Sequence, residues 1–213
     1  MEKNDRKKIY YSLNSIANEY ETFNKVLLKI LKNSCSKKTM KRITKIFLLC
    51  LIFLPLMNYI SSSDNTYNYI INLIDTTDSL MIPLFTSTLG GYALFQALTS
   101  GNTLISFLKQ RGDEMSKFEE FNLSFLSLIL GYILILTINY LLKNILPVIS
   151  DTNWINVTGN YKHIVIVTSI FLYVTYNIFL LLEMRSFIFN LFQCFNLNVI
   201  SHGIKALKED KVE

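Results

Sequence analysis

Charge is what this sequence lacks. Asp, Glu, Lys and Arg make up 17% of its 213 residues, where an ordinary soluble domain has about 25%. Stretches that hold none of them include 46–63, 79–108, 121–142 and 163–182. A water-soluble helix of that length carries charge on its outer face, so an ordinary soluble domain is excluded. Cysteine is scarce too. Cys35, Cys50 and Cys194 are far apart, with no CxxC and no Cys/His ligand spacing, which leaves free thiols packing as small hydrophobes. Catalytic signatures are missing as well. There is no HExxH, no GxSxG, no phosphate-binding Gly-rich loop and no pair of carboxylates inside an apolar stretch, so no catalytic, cofactor or metal site is assigned and a non-enzymatic role is expected. Nor is there a nucleic-acid-reading motif.

What is present is a set of long apolar blocks and a lopsided distribution of basic residues. About 20 apolar residues suffice to cross a bilayer as a helix. The blocks predict four spans, at about 44–62, 80–100, 122–143 and 163–183. In the first, Pro55 is expected to kink the helix, and Lys41, Arg42 and Lys45 snorkel to the headgroups. Residues 61–79 contain Asp64, Asp75 and Asp78 and no Lys or Arg. They read as an outer loop with a short interfacial helix around Tyr67–Ile74, and Asp78 or Ser79 caps the next helix. Pro83 then falls in that helix's first turn, where proline is tolerated. Residues 79–108 read as one helix that crosses and continues inward to a hairpin tip at about 101–121, with Gly112 ending one arm and Asp113 capping the other. Pro147 marks the exit of the third span, and Trp154 and Tyr161 anchor an outer loop.

Twelve of the 21 Lys and Arg lie in residues 1–45, and the two expected outer loops contribute only Lys162. Basic residues stay on the cytoplasmic side, so both termini and the hairpin tip are expected there. The fold class read from the sequence is therefore all-α: an integral membrane four-helix bundle with cytoplasmic helical extensions. Its parts are an amphipathic helix at 1–38, the bundle at 39–185, and a helix and tail at 186–213. The abundance of Lys, Asn and Ile suggests an AT-rich bacterial genome and hence an inner-membrane location.

Three sets of residues carry what functional signal there is. Ile9, Leu13, Ile16, Tyr20, Phe23, Leu27 and Ile30 alternate by four and three, a heptad seam on one N-terminal helix that packs on its own chain, pairs with a second copy as a coiled coil, or lies flat on the lipid headgroups. Ser87, Gly90 and Gly91 form a small-residue patch that lets helices approach closely in lipid, within the chain or between chains. Asn139 and Asn177 are polar residues inside apolar spans, expected to hydrogen-bond between helices or, as the lesser alternative, to line a conduction path. Glu183 and Arg185, at the inner end of the fourth span, either pair with Lys109, Arg111 or Glu114 or snorkel. With the spans placed this way no ionisable residue lies mid-span, which disfavours an ion-coupled transporter or proton relay.

The stretch TSTLGGYALFQALTS, residues 86–100, resembles a segment of small bacterial four-span membrane proteins, some of them linked to phage defence. That resemblance implies a span opening into a cytoplasmic hairpin and carries over no functional residue. The expected partners are the lipid bilayer and either further copies of the chain or another protein, without nucleic acid. The first function expected is an oligomerising effector or signalling component at the membrane. A bacteriocin-type immunity protein is the alternative, and a channel or transporter subunit ranks below both.

Overall fold

The structure, a computed structural model, describes residues 3–19, 21–34, 37–63, 65–110, 115–151 and 159–209. Among them every regular element is helical: α1 (Lys3–Glu19), α2 (Phe23–Ser34), α3 (Lys37–Cys50), a 3-10 turn (Leu51–Phe53), α4 (Leu54–Ser62), α5 (Thr66–Leu98), α6 (Gly101–Lys109), α7 (Lys117–Asp151) and α8 (Gly159–Glu209). Among the described residues three helical stretches are long and apolar enough to cross a membrane: Thr39–Ser62, Lys117–Val148 and His163–Gly203. The helix α5, which contains the second expected span, is not one of them. Asp75 and Asp78 interrupt its first half, and Thr86, Ser87, Thr88, Gly90, Gly91 and Gln96 dilute its second.

The chain divides into two units. One comprises residues 36–86 and 129–183. Its core joins Ile46, Cys50 and Met57 to Ile170 and Phe171, and Phe47 meets Phe171 edge to face at 4.9 Å. Helices α7 and α8 come close at Gly131, where a Cβ would lie 2.6 Å from Leu180 Cδ2 and where the Tyr176 hydroxyl donates to the Gly131 carbonyl at 3.3 Å. Pro55 has no N–H for the Leu51 carbonyl. The Leu54 N–H takes that carbonyl instead, so the helix tightens into a 3-10 turn just before the proline.

The other unit comprises residues 1–35, 87–128 and 184–213. An aromatic cluster fills it: Phe95 lies 4.8 Å from Phe125, Phe125 5.0 Å from Phe187, and Phe107 5.5 Å from Phe121. Helix α1 packs on α6, and the Ser12 hydroxyl donates to the Leu108 carbonyl at 3.4 Å, one of the acceptors that the end of α6 leaves open. Helix α7 starts with a reciprocal cap. The Ser116 N–H donates to the Glu119 carboxylate at 2.8 Å, and the Glu119 N–H donates to the Ser116 hydroxyl at 3.3 Å, satisfying two exposed backbone donors at once. Lys29 on α2 adds an ion pair to the buried Glu119 at 3.7 Å.

Several expectations change. The N-terminal helix is two helices, interrupted by bends at Glu21 and Thr22. Asp78 and Ser79 cap nothing, because α5 has been helical since Thr66, and Pro83 lies in its interior. The helix start is fixed instead by the Thr66 hydroxyl, which donates to the Ile60 and Ser63 carbonyls. Residues 79–108 are not one helix: Ser100 is extended, and Gly101 adopts φ +53°, a conformation open to glycine at little cost. Helix α7 continues through Pro147. The expected tip residues Gly112 and Asp113, with Arg111 and Glu114, lie outside the described residues, as do Tyr20, Cys35 and Trp154.

Candidate functional site

Unit 36–86/129–183 contains a chain of polar side chains joining three helices. Asp75 and Asp78 are three residues apart on α5 and share one face; Asn139 and Lys143 are four apart on α7 and share another. Lys143 Nζ bridges both carboxylates, at 2.8 Å from Asp75 and 2.6 Å from Asp78. Asn139 Nδ2 donates to Asp78 at 2.6 Å, and the Tyr173 hydroxyl of α8 donates to Asn139 Oδ1 at 2.8 Å. Asn139 is fully buried and Thr77, beside Asp78 on α5, nearly so. Two carboxylates face one ammonium, so the cluster is one negative charge in excess. Its burial is graded: the Asp78 side chain is 20% exposed, Lys143 36% and Asp75 56%. Asp78 belongs to the interior and Asp75 to the surface.

Two polar clamps stand at the ends of α8 within this unit. At one, Arg42 donates to Glu183 at 3.2 Å. At the other, the ring of His163 lies between Ser61 (Oγ to Nδ1, 2.6 Å) and Asn58 (Nε2 to Oδ1, 2.5 Å). Asn58 Oδ1 accepts from Nε2–H, which leaves Nδ1 to accept from the Ser61 hydroxyl. The clamps are about 30 Å apart along α8 and about the same along α3 and α4, at 1.5 Å per residue. The charged cluster falls midway by two routes. Tyr173 is about 15 Å from His163 along α8, and Asp75 and Asp78 are about 13 and 18 Å from the start of α5. That start is bonded to Ile60 and Ser63, beside Ser61.

The expected site residues fare differently. Asn139 does bond between helices. Asn177 is buried, and its Nδ2 turns back to the Tyr173 carbonyl at 2.9 Å on its own helix; its Oδ1 has no hydrogen-bond partner among the described residues. Of the glycine patch, Gly91 alone is closely packed, its absent Cβ replaced by the ring of Phe187 in the same chain, while Gly90 is open and Ser87 exposed. The heptad seam is split. Ile30 is buried and Ile9, Ile16 and Leu27 partly so, whereas Leu13 and Phe23 are exposed. Glu183 pairs with Arg42 at 3.2 Å. Cys50 and Cys194 are free and buried. The sequence reading missed Asp75, Asp78, Lys143 and Tyr173 as site residues. The signal was present in the three- and four-residue spacings. It was passed over because acidic residues beside Ser, Thr and Asn read as a loop.

No protein-family model, curated protein or solved structure matches the chain.

Proposed function

We propose that the chain is a four-span protein of a bacterial inner membrane, with both termini cytoplasmic, that acts without enzymatic chemistry as an oligomerising membrane effector. The observation that carries the reading is the pair of polar clamps. Their separation of about 30 Å equals the thickness of a bilayer's hydrocarbon core. Between them α3, the 3-10 turn and α4 expose Leu48, Leu49, Ile52 and Leu56, and α8 exposes Ile164, Val165, Leu172 and Leu181. Such faces suit acyl chains and no aqueous surface. Lys41 and Lys45 flank Arg42 at the first clamp, which supports a cytoplasmic location for that end.

This frame moves the second span. It is the stretch 66–86 of α5, rather than residues 80–100, that lies level with the first and fourth, and α7 shifts with it, because Lys143 is bridged to Asp75 and Asp78 at mid-depth. The test is a reporter fused after Glu213, together with induced expression under a membrane-potential dye. A cytoplasmic reporter and loss of potential on induction are expected. A periplasmic reporter overturns the orientation. Harmless expression that protects against a co-encoded toxic peptide overturns the effector in favour of an immunity protein.

A further inference from the structure

We propose that α5 lines a hydrated, cation-selective path enclosed by several copies of this chain, with Asp75 and Lys143 as its charged constriction. The inference rests on the membrane frame of the proposed function. One face of α5 carries Asn68, Asn72, Asp75, Ser79 and Thr86, at spacings of four, three, four and seven. On a helix these positions fall within a narrow stripe. All five are exposed in the single chain, and from this face Asp75 reaches Lys143 of α7 at 2.8 Å. Within the frame this polar stripe runs through the hydrocarbon level, and Asp75, 56% exposed, lies about 13 Å below the outer boundary.

Lipid cannot be the occupant of that face. Acyl chains offer nothing to amide, hydroxyl and carboxylate groups, and Asp is among the costliest residues in mid-bilayer. Such a stripe must meet water, and water at that depth needs walls. Further copies of the chain supply them, each turning α5 inward and its Leu- and Ile-rich faces outward.

The chemistry of the stripe selects the ion. The Ser79 hydroxyl donates to the Asp75 carbonyl at 2.9 Å and the Thr86 hydroxyl to the Ile82 carbonyl at 3.0 Å. Their protons are engaged with the helix, so both oxygens face outward as acceptors. Pro83 has no N–H, so the Ser79 carbonyl lacks its usual helical donor and adds another acceptor. The charged cluster is net negative, and repetition about an axis makes it a ring, a device that favours cations.

The test uses the full-length protein in planar bilayers and in liposomes of bacterial polar lipid, with bismaleimide-independent amine cross-linking and protease protection on the same liposomes. Expected are an oligomer and a current that reverses near the potassium equilibrium potential under a KCl gradient. Asp75→Asn should lower potassium-over-chloride selectivity about tenfold. Asn72→Cys and Ser79→Cys, with Cys35, Cys50 and Cys194 replaced, should react with a charged, membrane-impermeant thiol reagent and lose current. Leu48→Cys, on the expected lipid face, should not react. An inserted protein with cytoplasmic termini that remains a monomer, leaves Ser79→Cys unlabelled, or labels without passing current overturns this proposal and leaves the membrane topology standing. A protein whose termini lie on opposite sides overturns the topology as well.

Discussion

Gly91 and Gly90 are neighbours with opposite constraints. A Cβ at Gly91 would overlap the ring of Phe187, which is itself buried against Phe125, whereas a Cβ at Gly90 meets nothing within 4 Å. Gly91→Ala is therefore expected to destabilise by about 1–3 kcal/mol through overpacking. Gly90→Ala should stabilise by roughly 0.5–1 kcal/mol, because glycine is the costlier residue in a helix interior. Thermal unfolding in mild detergent checks both, and equal effects would contradict the assignment. Glu119 serves the start of its own helix and also pairs with Lys29 of α2. Ser116→Ala removes one half of the reciprocal cap and should cost about 1 kcal/mol, read in the same melts. The Ser116–Lys117–Phe118–Glu119 spacing is a capping-box pattern that the sequence reading, which placed the cap at Asp113, did not include. Gly91's partner was not legible: the small patch announces a close approach but does not name Phe187, 96 residues later.

At the scale of elements, α5 is where the sequence misled. Long apolar runs mark helices long and apolar enough to cross a membrane, and α7 and α8 declared themselves in that way. A helix that spends one face on polar groups has a lower apolar content and resembles a loop. Asn68, Asn72, Asp75 and Ser79 are favoured in turns when considered singly. Only their common stripe, together with Asn139 and Lys143 at helical spacing on α7, shows them to belong to a helix. The energetics within the cluster follow burial. Asp78 accepts from both Asn139 and Lys143 and is the less exposed carboxylate. Lys143→Leu leaves two carboxylates sharing one face with no cation and should lower the Tm in detergent by several degrees, because an uncompensated charge is the costly outcome of breaking such a pair. Asp75→Asn, at the exposed edge, should shift it little. In the double variant Lys143→Leu with Asp78→Asn, much of the loss should return. A double variant no more stable than Lys143→Leu would deny the electrostatic coupling.

For the whole molecule, the number of crossings decides where the chain begins and ends. The three stretches that are apolar enough to cross would put the two termini on opposite sides of a membrane. Including α5 restores an even number and puts them on the same side. The distribution of Lys and Arg independently supports the even count, since residues 99–121 contain three and residues 184–213 four, whereas residues 148–162 contain one. The parity therefore turns on the one helix whose polar face hides it. Two single-cysteine variants, in the chain lacking its native cysteines, separate the cases. Asn65→Cys, just before α5, should react with an impermeant thiol reagent applied outside intact cells. Lys45→Cys should react only after the membrane is opened. Both alternatives agree on those two sites, so a third site is needed: a cysteine appended after Glu213. With α5 spanning, it reacts only in opened cells. With α5 outside the bilayer and three crossings, it reacts in intact ones, and the frame built from Arg42–Glu183 and Ser61–His163 then fails with it.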